Sequence, residues 1–250
     1  MKLFPGERID ELFYGGYRIL QHEEEFAFSL DAVLVAHFAF LRPKAKALDL
    51  GTGTGVIALL LAARGAGEIT GIECNARMVD LARRSVALND LDETIKILSG
   101  DYSCPGDFAA DLPPGSLDLV IANPPYRLLG TGQKNAKAGV ATARHEVNAS
   151  LSDVLKAAAY WTKFRGRFVM VHLPERMTEI LVLMHQAGLE PKRLRLVHPL
   201  VHKPANMMLV EGVRGGKSGL TVLPPLIVHE PDGTYTKEVQ SYYAAKEDRL

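Results

Sequence analysis

An amide, two prolines and an aromatic ring stand in a row at Asn123-Pro124-Pro125-Tyr126, directly after the apolar run Leu117-Asp118-Leu119-Val120-Ile121-Ala122. That run has the β-branched content of a buried parallel strand, and the prolines, which cannot donate to a ladder, end it. The residue before a proline is pushed toward extended geometry, so the Asn123 amide is presented at a strand end. Its side-chain oxygen and the Pro124 carbonyl can each accept one N–H of a planar NH₂ group, while the Tyr126 ring stacks on the flat molecule that carries it. Accepting both hydrogens draws electron density onto the nitrogen as it attacks an electrophile. A proline-rich turn closing a strand is the alternative reading of the same four residues.

Such a tip needs a sheet behind it, and three further strand ends lie upstream. Ala47-Leu48-Asp49-Leu50 runs into Gly51-Thr52-Gly53-Thr54-Gly55 and out into an apolar helix from Val56 to Leu61. Glycines there let backbone come close to a ligand at the helix N-terminus. The spacing puts Val56 where a dinucleotide fingerprint needs glycine, so a pyrophosphate cradle fits poorly. Glu68-Ile69-Thr70-Gly71-Ile72-Glu73 reads as the second strand, and its last carboxylate, 22 positions beyond Gly51, can accept both ribose hydroxyls of an adenosine. The alternative for Glu73 is a solvent-facing strand end. Thr94 to Leu98 makes a third strand ahead of Gly100-Asp101, where a turn-forming aspartate is nearly as good a local reading as a ligand contact. Four consecutive strands would then carry polar chemistry to one sheet edge, where open α/β sheets bind ligands.

Upstream, Tyr17 to Gln21 and Phe26 to Phe28 read as a hairpin around the acidic turn Glu23-Glu24-Glu25. Ser29 can cap a helix running toward Pro43, with Asp31 in the first turn either complementing the helix dipole or touching a ligand. Downstream, residues 127–149 are polar and aperiodic, with cations Arg127, Lys134, Lys137, Arg144 and His145 opposed only by Glu146. This is the best local candidate for touching phosphates, against the plainer reading of a soluble surface loop. A helix from Leu151 to Phe164, a strand from Gly166 to His172 and a helix opened by Pro174 follow, with His172 a structural histidine. Lys192–His198 and Ala205–Val213 read as two more strands, and the tail as Leu226-Ile227-Val228, a Pro-Asp-Gly turn and a helix from Lys237 to Ala245.

The whole chain narrows the class further. Its 250 residues are 47% hydrophobic with a formal net charge of zero, so any polyanion must be met by a local patch. Cys74 and Cys104 fit neither a zinc spacing nor a disulfide framework, so reduced thiols and no metal are expected. The charged N-terminus and the lack of an uncharged run of ~20 residues point to a cytoplasmic protein with no membrane partner.

Asn-Pro-Pro-Tyr resembles the catalytic motif of S-adenosylmethionine-dependent amino methyltransferases that act on adenine, cytosine or glutamine amides. Asp49 with the glycine turn is similar to the first motif of class I methyltransferases. Phe28-Ser29-Leu30-Asp31, the glycine turn, the Asn123–Tyr126 motif, Ala143-Arg144-His145-Glu146, Leu226–Val228 and Tyr235–Glu238, in that order, look like the bacterial tRNA(Val) adenine-N6 methyltransferases over almost the whole chain.

The resemblance implies an α/β fold: a doubly wound, mostly parallel seven-stranded sheet with an antiparallel C-terminal strand pair. It implies a single methyltransferase domain over residues 1–250, with a hairpin and helix in 1–45 and a substrate-recognition loop at 127–149. S-adenosylmethionine would be held by Asp31, Asp49 and the turn residues Gly51, Thr52, Gly53 and Gly55, together with Glu73, Cys74, Asp101, Tyr102 and Asn123. Asn123, Pro124, Pro125 and Tyr126 would carry the chemistry, with RNA held by Tyr126, Arg127, Lys134, Lys137 and Arg144. The implied partner is tRNA, whose anticodon-loop adenine is partly unstacked and so cheaper to extrude. The rivals are an N5-glutamine protein methyltransferase, a cofactor-binding RNA module without catalysis and, more remotely, a nicotinamide dehydrogenase. The first usually carries an extra N-terminal helical domain, for which the ~45 residues before Leu48 leave little room.

Overall fold

The computed structural model describes residues 2–12, 14–25, 27–126 and 150–244. The expected recognition loop, with Arg127, Lys134, Lys137 and Arg144, lies outside the described residues.

Two strands, β1 (Glu7–Leu12) and β2 (Tyr17–His22), pair antiparallel as a separate hairpin. The partner of Tyr17–His22 is therefore the segment before it, not the expected Phe26–Phe28 segment after it. Gly15 and Gly16, both at positive φ, form the turn. Glycine tolerates that conformation without a Cβ clash, and Gly-Gly between two runs is itself a hairpin signal. Arg84 ties the hairpin down by donating to Glu7 at 2.6 and 2.8 Å.

The main sheet is built from β3 (Lys46–Leu50), β4 (Glu68–Glu73), β5 (Ile95–Ser99), β6 (Leu117–Ala122), β7 (Thr162–His172), β8 (Leu189–His198) and β9 (Met207–Arg214). Their order is β5-β4-β3-β6-β7-β9-β8. Pairing is parallel from β5 to β7, and β9 lies antiparallel between β7 and β8. Two further strands of two residues each, β10 (Thr221–Val222) and β11 (Leu226–Ile227), pair parallel with β8 and bring the sheet to nine strands among the described residues, two beyond the expected seven. Segments that short leave no periodicity to read.

Both sheet faces are covered, as a parallel sheet requires. Helices α1 (Leu30–Phe38), α2 (Val56–Ala63) and α3 (Ala76–Leu88) share a core with Leu119 and Ile121, whereas α4 (Leu151–Trp161) and α5 (Met177–Gln186) share the other with Val120 and Ala122. The alternation along β6 is the period-2 pattern of a strand buried on both sides. Helix α2, Val-Ile-Ala-Leu-Leu-Leu-Ala-Ala, is buried at every position but Ala62, which suits a helix apolar all round. Helix α3 is capped by Asn75, whose side chain accepts from the Arg77 and Met78 N–H groups, and α4 by a reciprocal Ser150–Asp153 capping box. A last helix, α6 (Lys237–Tyr243), inserts Val239 into the core around α1.

Two boundaries differ from the sequence reading. Helix α1 stops at Phe38, short of Pro43, because Ala39 turns extended and the Phe40 N–H goes to buried Glu211 at 3.2 Å. Helix α4 ends at Trp161, and β7 begins with the next residue, its Thr162 hydroxyl donating back to the Ala158 carbonyl at 2.6 Å. Among the described residues no helix is long and apolar enough to cross a membrane.

Candidate active site

The chain fills the sheet outward from β3 in one direction through β4 and β5, then returns to place β6 on the other side of β3. Ligands in open α/β sheets bind where the order reverses, outside the carboxyl ends of the strands. Leu50 pairs with Ala122 across that reversal, so the glycine turn and Asn123 each begin one residue past the same rung. On the other flank, the Gly51 and Thr52 N–H groups both reach the Ile72 carbonyl, at 2.9 and 3.0 Å, and the Gly100 N–H reaches the Glu73 carbonyl at 2.9 Å. The tips of β3, β4, β5 and β6 thus stand side by side.

The glycine turn is held from below. Gly51, Gly53 and Gly55 all have positive φ, but they face different surroundings. A Cβ on Gly53 would enter open space, one on Gly51 would approach only the Tyr102 ring, and one on Gly55 would rest against Ala82 of α3. Gly55 therefore serves close helix packing at the start of α2, away from the open side where Gly51 and Gly53 lie. Glu73 accepts the Gly53 N–H at 2.9 Å and the Asn75 N–H at 2.9 Å, one on each oxygen. A carboxylate has about four acceptor sites, so the oxygen that takes the Gly53 N–H keeps a second lone pair for a ligand hydroxyl. Cys74 donates to Glu73 at 3.6 Å, and burial, then the Glu73 charge, push its thiol up to about 11. The thiol is thus protonated at neutral pH, beside the turn where it was expected to border the cofactor.

Asp49 is fully buried beneath the turn. One carboxylate oxygen takes the Thr52 hydroxyl at 2.6 Å; the other has no hydrogen-bond partner among the described residues. Burial pushes this carboxyl up to about 7, opposed by the Thr52 hydrogen bond and aided by the Glu73 charge. Asp49 is enclosed by the protein, so it acts from beneath, holding the turn through Thr52. At the β5 tip, Asp101 is exposed and accepts the Ser103 N–H at 2.8 Å, as a turn aspartate does, while buried Tyr102 packs under Gly51 with its phenol raised by burial.

At the β6 tip Asn123 and Tyr126 are half-buried, Pro124 is buried and Pro125 exposed. The Tyr126 hydroxyl lies 2.5 Å from an Asp31 carboxylate oxygen and 3.1 Å from the Asn123 amide oxygen. Asp31 also accepts the Ala32 N–H at 3.0 Å and the Ser29 hydroxyl. Ser29 makes no capping bond to α1, contrary to expectation; its hydroxyl is turned to donate to Asp31 instead. Asp31 itself reaches the Asn123–Tyr126 segment from 95 residues away. His172, at the end of β7, lies with its ring centroid 5.4 Å from that of Tyr126 and accepts the Leu173 N–H. Burial drops His172 to about 4, so it supports the tyrosine as a neutral ring. Sequence reasoning missed this contact and the Asp31–Tyr126 bond, because neither pair shares an element or a spacing.

A cleft of about 680 Å³ opens at the opposite edge of the sheet, beside Lys46, Glu68, Lys96 and Asp111. Both its lysines are paired, Lys46 with Glu68 at 2.7 Å and Lys96 with Asp111 at 2.5 Å, Arg83 donates to the Ile97 carbonyl, and none of the expected site residues lines it. The expected site residues gather instead at the carboxyl edge.

A sheet wound in this order, with β9 antiparallel and a glycine turn after the central strand, is that of the class I S-adenosylmethionine-dependent methyltransferases. Residues 30–156, just over half the chain, match the model of the methyltransferase small domain, and the chain belongs to that family. It is 28% identical over 195 residues to a tRNA1(Val) (adenine(37)-N6)-methyltransferase of a Flavobacteriaceae bacterium, covering 72% of this chain and 80% of that protein. A Dickeya chrysanthemi protein of the same description is 28% identical over 218 residues, covering 84% of this chain and 83% of the relative. Among solved structures, a predicted O-methyltransferase from Agrobacterium tumefaciens superposes with a TM-score of 0.68 at 26% identity, covering 86% of this chain and 97% of that one.

Proposed function

We propose that this methyltransferase moves a methyl group from S-adenosylmethionine to the N6 amino group of an adenine in RNA, with a tRNA anticodon loop as the substrate. The observation that carries the reading is the Asn123 amide, standing at the β6 tip one rung from the glycine turn with an aromatic ring three residues away. Two relatives described as tRNA1(Val) (adenine(37)-N6)-methyltransferases, each aligned over most of both chains, favour adenine in tRNA over other planar amino groups.

When bound, S-adenosylmethionine supplies an electrophilic methyl on a sulfonium. The open side of Gly51 and Gly53 would border its methionine end, with Asp49 holding the turn from beneath, and Glu73 would face the ribose hydroxyls. Asp101 and Tyr102 would border the cofactor's adenine. Asn123 and the Pro124 carbonyl would each accept one hydrogen of the substrate amino group, holding the nitrogen lone pair toward the methyl. Tyr126, steadied by His172, would stack on the extruded base, and Pro125 would keep the strand end rigid. The product proton leaves to water, so no side chain needs to act as a base. Arg127, Lys134, Lys137 and Arg144 would meet backbone phosphates, and the cytoplasm, where undermodified tRNA is found, is the expected compartment.

The test is mass spectrometry of nucleosides from undermethylated tRNA incubated with the protein and isotope-labelled cofactor. Labelled N6-methyladenosine is expected from the wild type and its loss from Asn123→Ala, with cofactor affinity largely kept. Equal transfer by the two proteins would reject the role given to Asn123. Label in a glutamine-containing protein instead of tRNA would move the substrate to the amide class.

A further inference from the structure

Tyr126 has one hydroxyl proton and two acceptors within reach. The 2.5 Å separation from Asp31 is that of a charge-assisted hydrogen bond, whereas 3.1 Å to Asn123 is longer than a well-formed O–H···O contact. The proton therefore points at Asp31. Asp31 is itself fixed: the Ala32 N–H, at 3.0 Å, and the Ser29 hydroxyl both donate to its other oxygen at the start of α1. The Tyr126 phenol keeps its proton, since burial and then the Asp31 charge raise it well above the usual tyrosine range.

We infer that Asp31 is a positioning residue whose carboxylate draws the Tyr126 hydroxyl proton away from Asn123 and so keeps the Asn123 amide oxygen open to the substrate amino group. The inference rests on Asn123 being the acceptor described above. An amide oxygen has two lone pairs, and a hydroxyl donating into it occupies one and withdraws density from the other. Without Asp31, Asn123 becomes the remaining acceptor among the two, and the hydroxyl turns onto it. Asp31 is thus tied to the chemistry through Tyr126 and needs no cofactor contact of its own; both its oxygens are already engaged.

This mechanism predicts rescue by a second substitution. Four proteins are compared: wild type, Asp31→Ala, Tyr126→Phe and the double variant, each checked for cofactor binding by calorimetry and for folding by thermal melting. Asp31→Ala should lower kcat by about tenfold, the scale of one hydrogen bond, with the KM for S-adenosylmethionine unchanged. Tyr126→Phe, which removes the misdirected donor but keeps the ring, should lose only about two- to threefold, well under the tenfold that one hydrogen bond is worth. The double variant should recover to the level of Tyr126→Phe. A double variant as inactive as Asp31→Ala, or a raised cofactor KM in Asp31→Ala alone, overturns the inference. The rates are read on whichever acceptor the wild type methylates, undermethylated tRNA or a glutamine-containing peptide. The adenine assignment can therefore fall while the rescue pattern stands. A wild type inert on both acceptors with cofactor bound removes the inference along with the reaction.

Discussion

Replacing Asp49 with asparagine should make the ligand-free protein more stable at neutral and alkaline pH while weakening cofactor binding. The carboxyl is fully buried, with one oxygen satisfied by Thr52 and the other bare, and burial carries it from an ordinary 3.8 to about 7. A carboxyl that holds its proton more tightly when folded contributes stability that is complete below the unfolded value, near pH 4, and is lost as pH rises through the folded value near 7. Ionising it in place costs on the order of 4 kcal/mol across that window. Asparagine cannot ionise and still offers an oxygen to Thr52, so the variant loses none of this. Denaturant unfolding of both proteins from about pH 4.5 to 8.5 gives the difference curve, variant minus wild type. Acid-sensitive carboxylates such as Glu7, held down by its Arg84 hydrogen bond, and Glu238, held down by Arg195, titrate alike in both proteins and cancel. The difference should climb by roughly 2–4 kcal/mol toward pH 7 and flatten above it. A flat line through the whole range would refute the account of Asp49. Calorimetry with S-adenosylmethionine supplies the second reading, with weaker binding expected for the variant.

Three other outcomes follow from the same contacts. Alanine at Gly71 on β4 would put its Cβ 2.8 Å from the Thr52 side chain and 2.9 Å from Ile97, so unfolding stability should fall by about 1–3 kcal/mol and the glycine turn above should loosen, read by denaturation and cofactor titration. Glu211, fully buried, takes the Phe40 N–H and pairs with Arg167 and Arg193; Glu211→Ala strands all three donors and should cost about 3 kcal/mol by the same measurement, whereas a loss below ~0.5 kcal/mol would mean the arginines find water instead. Glu73→Gln keeps an acceptor for the Gly53 N–H but sets its NH₂ against the Asn75 N–H and loses the charge, so cofactor affinity should drop by about tenfold while unfolding stability falls by about 1 kcal/mol; unchanged affinity with the same stability loss would assign Glu73 to holding the turn alone.

How much of this was legible in the sequence depends on how local the cause is. The β3 strand, glycine turn and α2 are written in consecutive residues, and so is the β6 tip, because two prolines end a ladder wherever it stands. The parallel pairing of β3, β4 and β5 follows from strands alternating with helices. The hairpin's first strand is hidden in the sequence because β1 is charged and largely exposed, which blurs its period, and Gly15-Gly16 is the one local sign of its turn. The α4–β7 boundary was misplaced because no glycine or proline separates Trp161 from Thr162. Asp31 was readable only as a helix-start acid or a ligand contact. Its bond to Tyr126 is set by how α1 lies over the sheet, which no spacing within either segment encodes.

The seating of α1 has a bearing on biosynthesis. This helix carries Asp31 early in the chain, yet it shares its core with Leu209 of β9, Leu226 of β11, Val228 and Val239 of α6, all translated in the last fifth of the protein. A nascent chain can therefore assemble the β3–β6 platform well before the helix that anchors Tyr126 finds its bed. A chain cut short after β9 would lack Leu226, Val228 and Val239 from that core, so α1, and with it the Asp31–Tyr126 bond, should lose its seat first.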